Sequence, residues 1–264
     1  MVLAAVGQFC AISRISANLL ACKDIIEKAS KAGAKVVFLP EASDFICTRG
    51  IDESLQLVAS NEHQLFVSGM REIARETMTS LSVGIHELSK TPGKLVNTSL
   101  YIDQTGDITY RYHKLHLFDV NIANGPVLKE SDSVEHGKSV LPPFKSPIGR
   151  LGMAICYDIR FPEMSLRLRS LGADVISFPS AFTIKTGTAH WEPLLRARAI
   201  DSQCWIMAAA QIGWHDGDRK RGSWGHAMIV DPWGTVVAQC PEINEPCFSI
   251  ANINHDITSR VRKV

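Results

Sequence analysis

Gly152-Met153-Ala154-Ile155-Cys156-Tyr157-Asp158-Ile159-Arg160-Phe161-Pro162-Glu163 is an apolar run that delivers a cysteine, then polar and charged groups, then a proline that opens a predicted helix. A strand handing over to a helix through a short turn is the building unit of α/β folds. A cysteine at that junction is well placed for chemistry. The strand holds it rigidly, and the helix end offers oriented N–H groups and a positive dipole that favour a thiolate and a developing oxyanion. The same residue also reads as packing, because free cysteine is among the most buried residue types. The rest of the chain decides between the two.

Working outward, strand and helix patterns alternate. Leu3–Phe9 is a predicted strand. Ser16–Ala32 carries Leu19, Cys22, Ile26 and Ala29 at helical spacing, with Ser16 as N-cap and Gly33 as stop. Ala34–Leu39 reads as a buried strand ended by Pro40-Glu41, His63–Thr77 as a helix and Leu81–His86 as a strand. Asn97–Ile102 and Ile108–Tyr112 flank the hairpin turn Asp103-Gln104-Thr105-Gly106. His136–Pro147 reads as a loop, Leu151–Ile155 as a strand, Pro162–Leu171 as a helix and Asp174–Phe178 as a strand. Ala189–Ser202 is a predicted helix and Cys204–Ala210 a strand. Ala227–Val230 and Val236–Ala238 form a second hairpin around Asp231-Pro232-Trp233-Gly234. The shared Asp-x-x-Gly turn hints at an internal repeat. No low-complexity linker divides residues 1–264, which points to one α/β domain with mixed sheets.

Composition narrows the function. The chain is 45% hydrophobic and 21% charged with a net charge of +1, which leaves no electrostatic footprint for nucleic acid or an anionic membrane. Its seven cysteines form no CxxC pair, which argues for free thiols in a reducing compartment rather than a disulfide framework or a zinc site. The apolar run Met1–Gln8 is too short for a membrane span and lacks a basic leader, so the cytoplasm is the expected location.

Three apolar strands each lead to a reactive group: Val36–Pro40 to Glu41, Tyr110–His113 to Lys114, and Leu151–Ile155 to Cys156. Ligands gather where strand ends meet in α/β sheets. A carboxylate, an ammonium and a thiol are the ingredients of thiol-based acyl transfer. Taken singly, Glu41 also reads as a capping residue and Lys114 as a surface charge.

Phe38-Leu39-Pro40-Glu41, His113-Lys114-Leu115-His116-Leu117-Phe118, Glu130-Ser131 and Ala154–Glu163 together resemble, in order, the signature segments of the nitrilase superfamily of carbon–nitrogen hydrolases. The resemblance runs from Ala4 to about Ile253. It implies a four-layer αββα sandwich and a Glu-Lys-Cys triad. Glu41 matches the general base, Lys114 the triad lysine, Cys156 the nucleophile and Glu130 a second glutamate that holds the lysine. The backbone N–H of Tyr157 and the Lys114 ammonium are the implied oxyanion donors. The resemblance implies no metal or organic cofactor, and a homodimer packed near the cysteine-bearing helix. Relatives usually continue past Arg260–Val264 with a proline- and arginine-containing tail, so the details of the dimer stay open. A mitochondrial form from an alternative start also stays open.

Phe178-Pro179-Ser180-Ala181-Phe182-Thr183, Thr186–Glu192 and Ala208-Ala209-Ala210-Gln211 resemble the Nit branch, and most closely its fungal deaminated glutathione amidases. That resemblance implies hydrolysis of deaminated glutathione to 2-oxoglutarate and cysteinylglycine. The alternative is an ω-amidase acting on 2-oxoglutaramate; Ser180 and the Ala-Ala-Gln run favour the former. Either substrate is an anionic amide, for which Ser180, Thr183, Lys185 and Arg160 are the candidate binding residues. An ion pair between Arg160 and Glu163 is the competing expectation. Of Arg196 and Arg198, at most one should face the site. His113 and His116 have metal-ligand spacing without a third partner, and no signature supports His190 or His226 as a papain-type base. A non-catalytic scaffold is the reading from another class, and retention of all four polar positions argues against it.

Overall fold

The computed structural model describes residues 2–121 and 127–263. Its elements, in chain order, begin with β1 (Val2–Phe9), α1 (Ile15–Lys31), β2 (Ala34–Phe38), α2 (Ile51–Ala59), α3 (Asn61–Thr77), β3 (Ser80–Leu88), β4 (Leu95–Ile102) and β5 (Ile108–His113). A small ribbon follows, β6 (Asp119–Asn121) with β7 (Val127–Lys129). The second half holds β8 (Phe144–Ser146), β9 (Gly149–Met153), α4 (Pro162–Ser170), β10 (Val175–Ser177), α5 (Ile184–Ser202) and β11 (Trp205–Ala208). The chain closes with β12 (Ala210–Trp214), β13 (Gly222–Trp224), β14 (Met228–Val230), β15 (Val236–Gln239), β16 (Cys247–Ile253) and α6 (His255–Val261).

Two sheets form the centre. One is eight-stranded, in the order β13-β12-β1-β2-β3-β4-β5 with β16 also paired to β1; the other is six-stranded, β15-β14-β11-β10-β9-β8. Side chains alternate across a strand, and here both faces are buried. Ala4, Val6, Val36 and Phe38 pack inward with Leu151, Met153 and Ile155 of the second sheet region. Ala5, Phe9, Val37 and Leu39 face the other way, into a separate core with Ile25 and Ile26 of α1 and Phe66, Met70 and Ile73 of α3. On the far side, Trp191, Leu195 and Ala199 of α5 and Met164 and Leu168 of α4 cover the second sheet. The layers are therefore helix, sheet, sheet, helix.

The hinted repeat is present in the topology. β1, β2 and β3 run parallel and β4 and β5 follow antiparallel; β9, β10 and β11 run parallel, with β14 and β15 antiparallel. The two hairpin turns share one chemistry. Asp103 Oδ1 accepts from the N–H groups of Thr105 and Asp107, and Asp231 Oδ1 from those of Trp233 and Thr235.

Several boundaries differ from the sequence expectation. Helix α1 starts at Ile15, so Ser16 lies inside its first turn and is not the cap. Asn18 secures that end instead, accepting from Ile12 N–H and donating to the carbonyls of Ile12 and Asp44. Helix α5 begins five residues before Ala189, because Thr183 caps it by accepting from Thr186 N–H. The expected loop at His136–Pro147 contains strand β8. The run Cys204–Ala210 is not one strand. It breaks at Ala209, with β11 in the six-stranded sheet and β12 in the eight-stranded one. A run buried in either sheet is uniformly apolar, so periodicity carries no trace of the crossing. Among the described residues, no helix is long and apolar enough to cross a membrane.

Candidate active site

Cys156 lies just beyond β9 and opens a 3-10 turn, Cys156–Arg160, that precedes α4. Its φ of +43° is rare for a residue with a side chain. The conformation is over-determined by hydrogen bonds. Cys156 N–H donates to Pro179 O at 3.0 Å. The fully buried Asp158 carboxylate accepts from Ile155 N–H (2.9 Å), Tyr112 O–H (2.7 Å), His116 N–H (3.0 Å) and His116 Nδ1 (2.7 Å). Tyr112 belongs to β5, two residues before Lys114, so one carboxylate ties the cysteine turn to the segment carrying the lysine. His116 is structural in this arrangement, and no group of metal-ligating side chains occurs among the described residues.

Glu41 follows β2 in a turn where Ala42 also has positive φ, +55°. Gly84 of β3 makes the turn possible. Its N–H donates to Pro40 O at 3.1 Å, and a Cβ there would sit 2.6 Å from Glu41 Cα. From the other sheet edge, Gln211 Nε2 donates to Glu41 O at 3.0 Å and to Ala42 O at 3.3 Å. The Ala-Ala-Gln run thus braces the glutamate's backbone.

The Glu41 side chain is fully committed. Oε1 accepts from Lys114 Nζ (2.9 Å) and Asn97 Nδ2 (2.8 Å), and Oε2 from Ala181 N–H (2.9 Å). Lys114, only 3% exposed, also reaches both oxygens of Glu130 at 3.1 and 2.9 Å. Glu130 is held in turn by Phe118 N–H at 2.7 Å and Asn97 at 3.3 Å. The Cys156 thiol lines the same cavity as Glu41 and Lys114 and feels the charge of both.

Burial disfavours every charge here, and pairing decides which survive. Burial would raise Glu41, but the Lys114 ammonium and the hydrogen bonds hold it below the usual carboxylate range. Burial opposes the Lys114 charge and is outweighed by Glu41 and Glu130, which lift its pKa well above normal. Burial and then the Glu41 charge push the Cys156 thiol well up, against a smaller opposite pull from Lys114. The resting site is a carboxylate, an ammonium and a neutral thiol. The thiolate expected from the helix dipole is therefore not the resting state: the 3-10 turn stands between Cys156 and α4, and the nearest full negative charge is Glu41.

Glu41, Lys114, Glu130, Cys156 and Tyr157 open into a cavity of about 690 Å³. Thr183, Lys185 and Arg160 also line it. Ser180 does not. It is 1% exposed, with Oγ donating to Phe178 O, and its backbone pairs with β12 so that the next residue, Ala181, presents its N–H to Glu41. Arg160 makes no ion pair with Glu163 among the described residues; it meets His190 Nδ1 at 3.1 Å and lies near the Tyr157 and Phe182 rings. Arg196 and Arg198 both turn away, to the carbonyls of Gly234 and Ile159. Sequence reading missed Asn97, which stands beside the equally buried Thr98 and Ser99 and has no signal of its own, and the cavity-lining cations Lys129, Lys220 and Arg221, which sit on a short ribbon and in the β12–β13 loop without periodicity.

The geometry has relatives. The carbon–nitrogen hydrolase family model matches residues 3–263. The probable hydrolase nit2 of Schizosaccharomyces pombe is 49% identical over 99% of this chain and 95% of its own length. The deaminated glutathione amidase of Mus musculus is 41% identical over 99% of this chain and 80% of its own. The crystal structure of the C. elegans NitFhit protein superposes with a TM-score of 0.93 at 43% identity, covering 99% of this chain, which spans 62% of that longer one. The sandwich is thus the nitrilase fold, and the chain belongs to the carbon–nitrogen hydrolase family.

Proposed function

We propose that this chain is a thiol-dependent amidase, organised as a single domain over residues 1–264, that hydrolyses deaminated glutathione to 2-oxoglutarate and cysteinylglycine. The observation that carries the chemistry is Lys114 clamped between Glu41 and Glu130 beside the neutral Cys156 thiol. Glu41 removes the thiol proton as sulfur attacks the amide carbonyl, and the oxyanion is held by Lys114 and the Tyr157 N–H. Proton transfer neutralises Glu41 and weakens its grip on Nζ, which frees an ammonium N–H for the oxyanion at the moment it forms. Glu41 then returns the proton to the leaving nitrogen. The C–N bond breaks, the amine departs and a Cys156 thioester remains. Water, deprotonated by Glu41, attacks the thioester; the C–S bond breaks, the acid leaves and the thiol regains its proton. Glu130 keeps its two contacts to Lys114 and holds the ammonium in place throughout. No step calls for a metal or organic cofactor.

Size and charge support the larger substrate. A cavity of about 690 Å³ has room for a dipeptide leaving group beyond the acyl part, and ammonia would leave most of it to water. Lys129, Arg160, Lys185, Lys220 and Arg221 supply five cations along it, suited to a substrate with a carboxylate at each end. The relative in Mus musculus carries the name of that activity. The deciding experiment compares kcat/KM on deaminated glutathione and 2-oxoglutaramate. The expected result is a large preference for the former, and the reverse preference overturns the substrate reading in favour of an ω-amidase.

The same reading includes a homodimer. Leu166 on α4, Ile200 on α5 and Trp233 in the β14–β15 turn are 47%, 52% and 68% exposed, an apolar surface that suits a second copy. Light scattering at micromolar concentration should give twice the chain mass. Seven free cysteines suit a reducing compartment such as the cytoplasm.

A further inference from the structure

Three residues beyond Glu41, Asp44 is fully buried and collects donors on both oxygens. His86 N–H donates to Oδ2 at 2.7 Å, His63 Nε2 to Oδ2 at 3.1 Å, and His86 Nδ1 to Oδ1 at 3.0 Å. Burial opposes the carboxylate charge, but the two imidazoles and their hydrogen bonds hold its pKa down at about 2. An ionised carboxylate only accepts, so the proton on His86 sits at Nδ1. In the neutral ring, Nε2 is then the acceptor on the other edge.

His86 is not remote from the chemistry. It lines the same cavity as Cys156, stacks on Phe45 with ring centroids 4.5 Å apart, and keeps 16% of its side chain open. Its direct cross-strand partner is Asn97, which binds both Glu41 and Glu130. Side chains opposite one another on antiparallel strands share a face. The imidazole is therefore one side chain away from the triad, yet the reaction scheme above does not use it.

The cavity is rich in donors, and the carboxylates that line it are already engaged. Its cations answer carboxylates, while Glu41 and Glu130 are saturated by Lys114, Asn97 and backbone N–H groups. A dipeptide leaving group brings donors of its own, a peptide N–H and a thiol, that need a neutral acceptor once desolvated.

We propose that His86, oriented by Asp44, is a specificity-determining residue whose Nε2 accepts a hydrogen bond from the peptide N–H or thiol of the leaving half of the substrate. This role rests on the substrate reading above. Asp44 is a positioning residue: it fixes the tautomer and the ring plane. A site with such an acceptor favours a peptide-like leaving group over ammonia, because ammonia leaves the acceptor to water.

The test uses the full chain and both substrates. His86→Asn keeps a side-chain N–H towards Asp44 and deletes Nε2. It should lower the ratio of kcat/KM for deaminated glutathione over 2-oxoglutaramate about tenfold, chiefly through KM for the former. His86→Gln, which returns an acceptor near the Nε2 position, should recover part of that ratio. A second measurement needs no variant. Wild-type enzyme should lose about tenfold in kcat/KM on one of two analogues, one whose leaving dipeptide lacks the thiol and one whose leaving dipeptide lacks the peptide N–H. An equal loss on both substrates, an unchanged ratio, or indifference to both analogues overturns the role of His86. Failure of the wild-type enzyme to cleave deaminated glutathione overturns the substrate reading, and this role with it.

Discussion

Ala181 N–H donates to Glu41 Oε2 at 2.9 Å, joining residues 140 positions apart in the chain and on different halves of the sandwich. The contact fixes one oxygen of the carboxylate while Lys114 and Asn97 fix the other. Glu41 is thus aimed, and an amide in its place cannot reproduce the pattern, since one of its two positions must present N–H to a donor. Glu41→Gln should lower kcat by at least about a thousandfold, with the thiol of Cys156 alkylating more slowly than in the wild type. Near-wild-type turnover would remove Glu41 as the base.

Cys156→Ala should abolish turnover, a loss of about four orders of magnitude or more, with the protein still folded. The left-handed turn is held by Asp158 and Pro179 O rather than by the thiol, so the circular dichroism spectrum should not change.

Gly84→Ala would drive a methyl group into Glu41 Cα and Pro40 O, each 2.6 Å from the new Cβ. Both are backbone atoms, so the Glu41 turn itself must shift. Activity should fall by about a hundredfold or more, because displacements of an ångström carry that cost in a preorganised site. Urea titration should show a loss of about 1–3 kcal/mol.

Asp158→Asn puts an NH2 group among four donors that now meet a carboxylate. The expected cost is about 3 kcal/mol or more of stability, because a buried network loses acceptors from several members at once. Activity should fall even at temperatures where the variant is folded, since the same carboxylate positions both the cysteine turn and the approach to Lys114.

Acid should destabilise the protein in a window set by His215. Burial lowers its pKa from 6.5 to about 4, and its ring is satisfied as the neutral form, between Ala11 O at 2.8 Å and Ser223 Oγ at 2.7 Å. Between about pH 6.5 and 4 the unfolded chain takes up a proton that the folded chain does not, so stability falls as pH drops through that range, by about 3 kcal/mol at most. Asp44, lowered to about 2, adds a separate loss only below its usual value of 3.8. Denaturant unfolding at pH 7 and pH 5 should show the first loss in the wild type and a smaller one in His215→Asn.

The sequence was most readable where one strand ends in one reactive residue. Glu41 and Cys156 each follow an apolar run, Lys114 follows the mostly exposed strand Ile108–His113, and the hairpin turns carry their own signal. Ser180 shows where that logic misleads. Leu39-Pro40-Glu41-Ala42 and Phe178-Pro179-Ser180-Ala181 end the matching strands β2 and β10 of the internal repeat. Glu41 opens into the cavity, whereas Ser180 is drawn back into pairing with Ala210, and only its neighbour's N–H reaches the site. Local pattern is the same in both; the difference is made by which sheet lies opposite. Asn97, Lys220 and Arg221 escaped for a related reason, since their placement depends on partners far away in the chain.

Ala209 is the one residue between β11 and β12, strands of separate sheets, and its carbonyl accepts from Ser180 N–H at 2.9 Å while Gln211 N–H donates to Ser180 O at 2.9 Å. A tether this short acts as the stitched spine of a book. The sheets cannot slide or part there without tearing pairing on both sides, so breathing of the sandwich is denied to the floor of the cavity. Gln211, one residue past Ala210, and Ala181, one residue past Ser180, hang from this seam and hold Glu41 by its backbone and its carboxylate, so the base is anchored where the two sheets are sewn together.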